Sequence, residues 1–196
     1  SAAKSGMNTY VAFAGGLDVP QVLGSRSTNL KCAVGGFEGR KLKSGDILPF
    51  RNTLDHLGEL HIHKLTPEDF SQSEVTLRVV MGPQDDYFTH EGVHTFLHEP
   101  YKVTQNADRM GYKLEGEPIA YKDSVDIISD GIVFGSIQVP PAGQPIVMPA
   151  DRQTTGGYAK IATVASVDLP LLVQRKPGDA VRFHKVSAKE AEKLYK

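Results

Sequence analysis

Between Gln138 and Lys160 the chain reads QVPPAGQPIVMPADRQTTGGYAK, placing three glutamines, an Asp-Arg pair, two threonines, a tyrosine and a lysine among prolines and glycines. Proline and glycine restrict the backbone, and polar groups held on a restricted backbone can recognise a ligand. Arg152 and Lys160 can hold a carboxylate or a carboxyphosphate-like group, the arginine through its planar fork. Asp151 or Asp130 can accept a proton or orient Arg152. Asp151, Arg152 and Lys160 are therefore the candidate catalytic residues. Gln138, Gln144 and Gln153 offer amides complementary to a urea, a lactam or a ureido ring. Thr154 and Thr155 add hydroxyls, and Tyr158 can close one wall. Plainer readings stand beside these: Asp130-Gly131 as an ordinary turn, Asp151-Arg152 as a surface ion pair, and the whole segment as a satisfied turn network.

Other segments supply second contributors. Ser25-Arg26-Ser27-Thr28 gathers hydroxyls around Arg26, as an anion site or as a capped turn. Gln84-Asp85-Asp86 opens a helical stretch, where acidic residues suit the helix dipole even without a ligand, and Gln84 and Asp86 are also candidate binding residues. Arg109 follows Asp108 and is either a site cation or half of a structural pair. His90-Glu91-Gly92-Val93-His94 has the form of a two-histidine zinc motif, extended by His98. Gly92 weakens the helix where two ligands would have to be held, and no third ligand stands at a recognised spacing, so no metal is expected. His61-x-His63 is a weaker case of the same kind. Cys32 has no cysteine partner in the chain and reads as a small buried apolar residue.

These residues must be positioned by short elements. Apolar, β-branched runs at Val75–Val80, Ile127–Ile128, Ile132–Val139, Ile161–Val167 and Ala180–Val186 alternate with Gly/Pro turns, which predicts an all-β sandwich or barrel. Three helical stretches interrupt it: Thr66-Pro67 capping a short turn, Pro83 to Glu99 with Phe88, Val93, Phe96 and Leu97 at helical spacing, and a capping box Ser187-Ala-Lys-Glu190 opening a last helix. Lysine plus arginine (22) nearly cancel aspartate plus glutamate (23), so no strong field draws nucleic acid or an anionic membrane. No apolar run reaches membrane-spanning length and no secretory leader pattern opens the sequence. The single cysteine fits a reducing cytoplasm.

Lys43-Ser-Gly-Asp46 and Lys176-Pro-Gly-Asp179 echo one another ahead of apolar residues, as do Asp18-Val-Pro20 and Asp168-Leu-Pro170. Read as a duplication, this divides the chain into the end of a first half at 1–52 that lacks its beginning, a linker or polar excursion at 53–74 carrying Asp55, His56, Gly58 and His61, and a main barrel portion with a C-terminal helix at 75–196. Gly-Asp turns before strands are also common without duplication.

The blocks GGLDVPQVLGSRST (15–28), GGFEGRKLKSGD (35–46), RVVMGPQDDYF (78–88), NADRMGYKLEG (106–116), ISDGIVFGSIQVP (128–140), DRQTTGGYAKIATV (151–164) and RKPGDAVRF (175–183) follow in one order through nearly the whole sequence. In this they resemble the C-terminal part of the biotin-dependent carboxyltransferase family, which includes allophanate hydrolase subunit 2, the C subunit of 5-oxoprolinase and the KipI antagonist. The resemblance implies a cyclophilin-like β-barrel with a few short helices, and a small amide-like substrate. It implies a protein most like the C subunit of 5-oxoprolinase, an enzyme that opens 5-oxoproline to glutamate with ATP. Alternatives within the family are the carboxyltransferase part of a urea carboxylase or allophanate hydrolase system and a non-catalytic regulator of the KipI-antagonist type. It also implies a partner similar to allophanate hydrolase subunit 1, with room for a further subunit. No phosphate-binding loop, dinucleotide fingerprint or biotin-attachment sequence occurs, so ATP or biotin would be supplied through those partners and no cofactor is expected on this chain.

Overall fold

The computed structural model describes residues 5–52 and 70–195. By contact the chain divides into two compact units, one of Ser1–Thr9 with Glu68–Lys196 and one of Tyr10–Pro67. The Thr66-Pro67 turn, both histidines of His61-x-His63, and Asp55, His56 and Gly58 lie outside the described residues.

The larger unit is an all-β closed barrel with a few short helices. Its strands are β1 (Glu74–Met81), β2 (Tyr101–Val103), β3 (Tyr112–Glu115), β5 (Ser136–Gln138), β6 (Ile146–Val147), β8 (Lys160–Val164) and β9 (Ala180–Lys185), joined in the order β1-β8-β5-β6-β3-β2-β9. Closure comes from β9 lying parallel to β1, from Glu74 opposite Ala180 to Val79 opposite Lys185, so no barrel edge is left open. The other barrel pairings are antiparallel. Alternation along the strands does what it should: Leu77 and Val79 of β1, and Val181 and Phe183 of β9, face the core and are essentially inaccessible. Two further strands, β4 (Asp126–Gly131) and β7 (Thr155–Tyr158), make a separate antiparallel ribbon. Only Ala159 separates β7 from β8, so one stretch of chain leaves the ribbon and enters the barrel.

The helices are α1 (His90–His98), α2 (Leu169–Val173) and α3 (Ala188–Tyr195). Phe96 of α1 stacks on Phe183 of β9, ring centroids 4.5 Å apart, and both rings lie in the core. The stretch 83–99 is not one helix. A 3-10 turn at Asp85–Tyr87 comes first, Phe88 is then extended and bridges to Tyr121, and Thr89 restarts the helix by accepting from Gly92 N at 2.9 Å. Burial of Phe88 wins over continuing the helical hydrogen bonds. Gly92 has a packing reason of its own, because a Cβ there would run into the backbone of Ala120. We expect Gly92→Ala to destabilise the domain by about 2–3 kcal/mol, read as a lower midpoint in urea, since backbone rather than a flexible side chain must yield. A midpoint unchanged by the substitution would show that α1 packs less closely.

α3 begins as its capping box predicts: Glu190 accepts from Ser187 N (2.8 Å) and Ser187 Oγ accepts from Glu190 N (3.3 Å). The two Lys-x-Gly-Asp turns are alike in structure. Asp46 accepts from Lys43 N at 2.7 Å and Asp179 from Lys176 N at 2.8 Å, with Gly45 at φ 93° and Gly178 at φ 94°. Both glycines are left-handed, which explains why the turn needs them. In the smaller unit Arg40 grips Asp46 through two hydrogen bonds of 2.8 and 2.9 Å, and this guanidinium, followed by the Lys43 amide, lowers the Asp46 carboxyl to about 2. Cys32 is exposed rather than buried, because it lies in a surface turn where its N donates to Asn29 Oδ1 at 3.1 Å. Among the described residues no helix is long and apolar enough to cross a membrane.

Candidate functional site

The start of β8 lies beside the end of β5, where Gln138 sits opposite Lys160 across an irregularity in the ladder. Residues directly opposite on adjacent strands send their side chains to the same face. Both are buried, Gln138 at 2% and Lys160 at 4% exposure. An ammonium withdrawn from water this far needs a partner. It has one in Asp130 of β4, whose Oδ2 accepts from Lys160 Nζ at 2.8 Å. Asp130 is reached because the ribbon folds β4 back against β7, immediately ahead of Lys160.

Gln84 ties the pair to a third segment. Its Nε2 donates to Asp130 Oδ2 at 3.3 Å, and its Oε1 accepts from the Lys160 backbone N at 3.2 Å. Gly82 lets that loop come close, since a Cβ there would collide with the Lys160 carbonyl, and Gly82 N donates to Ile161 O at 2.8 Å. Asp130 Oδ1 also accepts from Gly131 N at 2.7 Å. Lys160 first, then the Gly131 amide, hold the Asp130 carboxyl below its ordinary value, so it stays an anion into mild acid. Unlike Lys160 it remains half open to solvent, with its side chain 53% exposed. Here a buried cation and an accessible anion stand side by side.

Gln138 Nε2 donates to the Tyr158 carbonyl at 3.2 Å, so its orientation is set by β7. Gln153 Nε2 approaches the same place over Gly156. Gln84, Asp130, Gln138, Gln153 and Lys160, with the backbone of Tyr158, thus come together from five stretches of sequence.

The remaining candidates have other partners. Asp151 pairs with Arg109 rather than Arg152, through bonds of 2.8 and 2.9 Å between exposed side chains, so this pair has the surface form. Arg152 Nε donates to the Ile132 carbonyl at 3.0 Å, and its guanidinium lies 5.8 Å from the Phe134 ring centre. Gln144 is spent on the backbone of Gly116, donating to its O at 3.0 Å and accepting from its N at 2.8 Å. Asp86, Thr154, Thr155 and Tyr158 are exposed. Arg26 belongs to the smaller unit, where it donates to the Val19 carbonyl and Ser25 Oγ accepts from Ser27 N at 3.1 Å, a capped turn.

The zinc-like motif falls on α1. The His94 and His98 rings stack 4.0 Å apart and His98 Nδ1 bonds the His94 carbonyl, and among the described residues no group of three or more potential ligands is arranged for a metal. Sequence reasoning overlooked Gly156 and Gly82. Their signal is the one carried by any glycine inside or beside a strand, a close approach that a side chain would block.

The family described as carboxyltransferase domain, subdomain A and B, matches this chain over residues 1–185. The C subunit of 5-oxoprolinase from Haemophilus influenzae is 39% identical over 194 residues, covering 98% of this chain and 60% of that protein. Urea amidolyase of Saccharomyces cerevisiae is 29% identical over 209 residues, covering 97% of this chain and 11% of that one. The crystal structure of the Kluyveromyces lactis urea amidolyase superposes with a TM-score of 0.76 at 27% identity, over 92% of this chain and 12% of that one. The chain therefore spans about 60% of the length of the 5-oxoprolinase proteins it matches. A match of this extent settles kinship: the chain belongs to the carboxyltransferase-domain family, subdomains A and B.

Proposed function

We propose that this chain is the site-bearing part of one subunit of an ATP-dependent amide-processing enzyme, most like the C subunit of 5-oxoprolinase, and that its substrate is a cyclic amide of the 5-oxoproline type. The observation that carries this reading is the Lys160–Asp130 dyad braced by Gln84. An amide presents an acceptor oxygen and a donor N–H on adjacent atoms, and the dyad presents a donor and an acceptor 2.8 Å apart. Lys160 polarises the carbonyl oxygen while Asp130 accepts the ring N–H. Fixed charges in a partly dried site need no rearrangement as charge develops on that oxygen, which favours attack on the amide carbon. Asp130 is held too acidic to be an efficient general base near neutral pH, so its part is to orient. ATP, supplied through partner subunits such as one similar to allophanate hydrolase subunit 1, provides the driving force for ring opening.

The test is calorimetric binding of 5-oxoproline, urea and biotin to the wild type and to Asp130→Asn. We expect 5-oxoproline to bind in preference to the other two and Asp130→Asn to weaken it about tenfold. Asp130 is lowered in the folded chain, so its contribution is present above the ordinary value of 3.8 and is lost only as pH falls through the depressed value. Wild-type binding should accordingly hold from pH 7 down to about 4. Binding that declines between pH 7 and 5, or that Asp130→Asn leaves intact, contradicts the assignment. A preference for urea would move the reading to the urea carboxylase system.

A further inference from the structure

Three turns of the larger unit meet away from the dyad. Val133-Phe134 follows β4, Asp151-Arg152 precedes β7, and Arg109-Met110 precedes β3. Asp151 N donates to Arg109 O at 2.8 Å and Arg152 Nε donates to Ile132 O at 3.0 Å, so hydrogen bonds tie the three together. Their apolar side chains stand open: Val133 is 59% exposed, Met110 46% and Phe134 43%. A single exposed apolar residue needs no explanation, but three on adjoining turns beside a guanidinium do. That guanidinium belongs to Arg152 and lies 5.8 Å from the Phe134 ring centre. Among the described residues Arg152 has no carboxylate partner, and with Nε engaged its two terminal nitrogens are left to donate to an acceptor from outside. Arg109 differs, because Asp151 already neutralises it.

We propose that this face is a docking surface for a partner subunit, which presents a carboxylate to Arg152 and apolar side chains to Met110, Val133 and Phe134. Two features choose the occupant. The uncompensated guanidinium calls for an anion, best a carboxylate that its fork can grip. The open apolar side chains call for carbon surface, which a free phosphate does not bring. An aromatic ring, a methionine and an arginine are also the residue types that concentrate at the centre of protein interfaces. The proposal rests on reading this chain as one subunit among several, and it adds where a partner sits. Ile132 N donates to Thr154 O at 2.9 Å, closing the end of the ribbon whose strand β4 carries Asp130. The docking turns border that end, so a partner seated on them also steadies the ribbon.

The experiment measures binding of the purified cognate subunit similar to allophanate hydrolase subunit 1, by calorimetry, to the full chain and to Arg152→Ala, Arg152→Lys and Val133→Asp. Arg152→Ala should weaken the complex by about thirtyfold or more, the loss expected of a central interface arginine. Arg152→Lys keeps the charge without the planar fork and should recover part of that loss, binding about three- to tenfold more weakly than the wild type. Val133→Asp sets a second anion against the partner's carboxylate and should weaken the complex by about tenfold. It alters an exposed side chain and is expected to fold, so the test stands even where Arg152→Ala loses stability with its bond to Ile132. Lactam binding reads the dyad separately: Val133→Asp should bind 5-oxoproline as the wild type does, and Asp130→Asn should lose affinity for the lactam while holding the subunit. A complex that survives both Arg152→Ala and Val133→Asp, or no complex with the wild-type chain, overturns the proposal. A dimer of this chain alone that Arg152→Ala dissolves would put a second copy on the face and overturn it as well.

Discussion

Replacing Lys160 with methionine should weaken 5-oxoproline binding by about 10- to 100-fold while leaving the melting temperature unchanged or slightly raised. The two halves of this expectation have different physical origins. A charge-assisted hydrogen bond to a ligand carbonyl is worth about 1.5–3 kcal/mol, and tenfold in affinity is about 1.4 kcal/mol. Stability responds differently because the ammonium is buried at 4% exposure while its partner carboxylate is 53% exposed. Drying the ammonium costs more than a half-exposed anion returns, and an apolar side chain of similar length suits the site as well or better. Asp130 can turn to water and still keeps the Gly131 amide and Gln84. If Lys160 were only structural, the melting temperature would fall and binding would persist; a thermal-shift series beside calorimetry distinguishes the two.

The opposite pattern is expected at Asp168, whose carboxylate is buried at 1% exposure and grips Arg78. Oδ2 accepts from the Arg78 backbone N at 2.7 Å and from Nε at 2.8 Å, and Oδ1 accepts from Nη2. One side chain thus joins the entry to α2 to the middle of β1, ninety residues away in sequence. Asp168→Ala leaves the Arg78 amide and guanidinium without this partner. A fully buried pair would lose about 3–5 kcal/mol, but Arg78 is 36% exposed and can recover some hydration, so about 3 kcal/mol is expected. For a domain of this size that is roughly 6–12 °C in melting temperature. Asp168→Asn keeps an acceptor for the backbone amide and should recover about half of the loss. A drop of less than about 2 °C for Asp168→Ala would show that the clamp does not hold α2 to the barrel.

What the sequence revealed depends on whether each signal is local. Strands long enough to alternate, such as β1 and β9, announced themselves, and the capping box at Ser187 placed α3 because its bonds are local. β2, β3 and β6 are two to four residues long, too short for any period to show, and they exist only because their barrel neighbours pair with them. Ile132–Val139 read as one strand, yet only Ser136–Gln138 forms it, because Gly135 turns left-handed at φ 87°. In the site, the glutamines and Lys160 could be picked out as a polar cluster in a Gly/Pro-rich segment. Their pairings could not. Asp151 stands next to Arg152 in sequence but bonds Arg109, and Lys160 finds Asp130 thirty residues upstream, because the ribbon's register and not chain proximity brings charges together.

Whether the Lys160–Asp130 dyad reads an amide is tested most directly by a crystal structure of this chain grown with saturating 5-oxoproline. The lactam oxygen should lie within hydrogen-bond reach of Lys160 Nζ and the ring nitrogen within reach of an Asp130 carboxylate oxygen. Lactam density at the exposed Arg109–Asp151 pair, with the dyad untouched, would contradict the account.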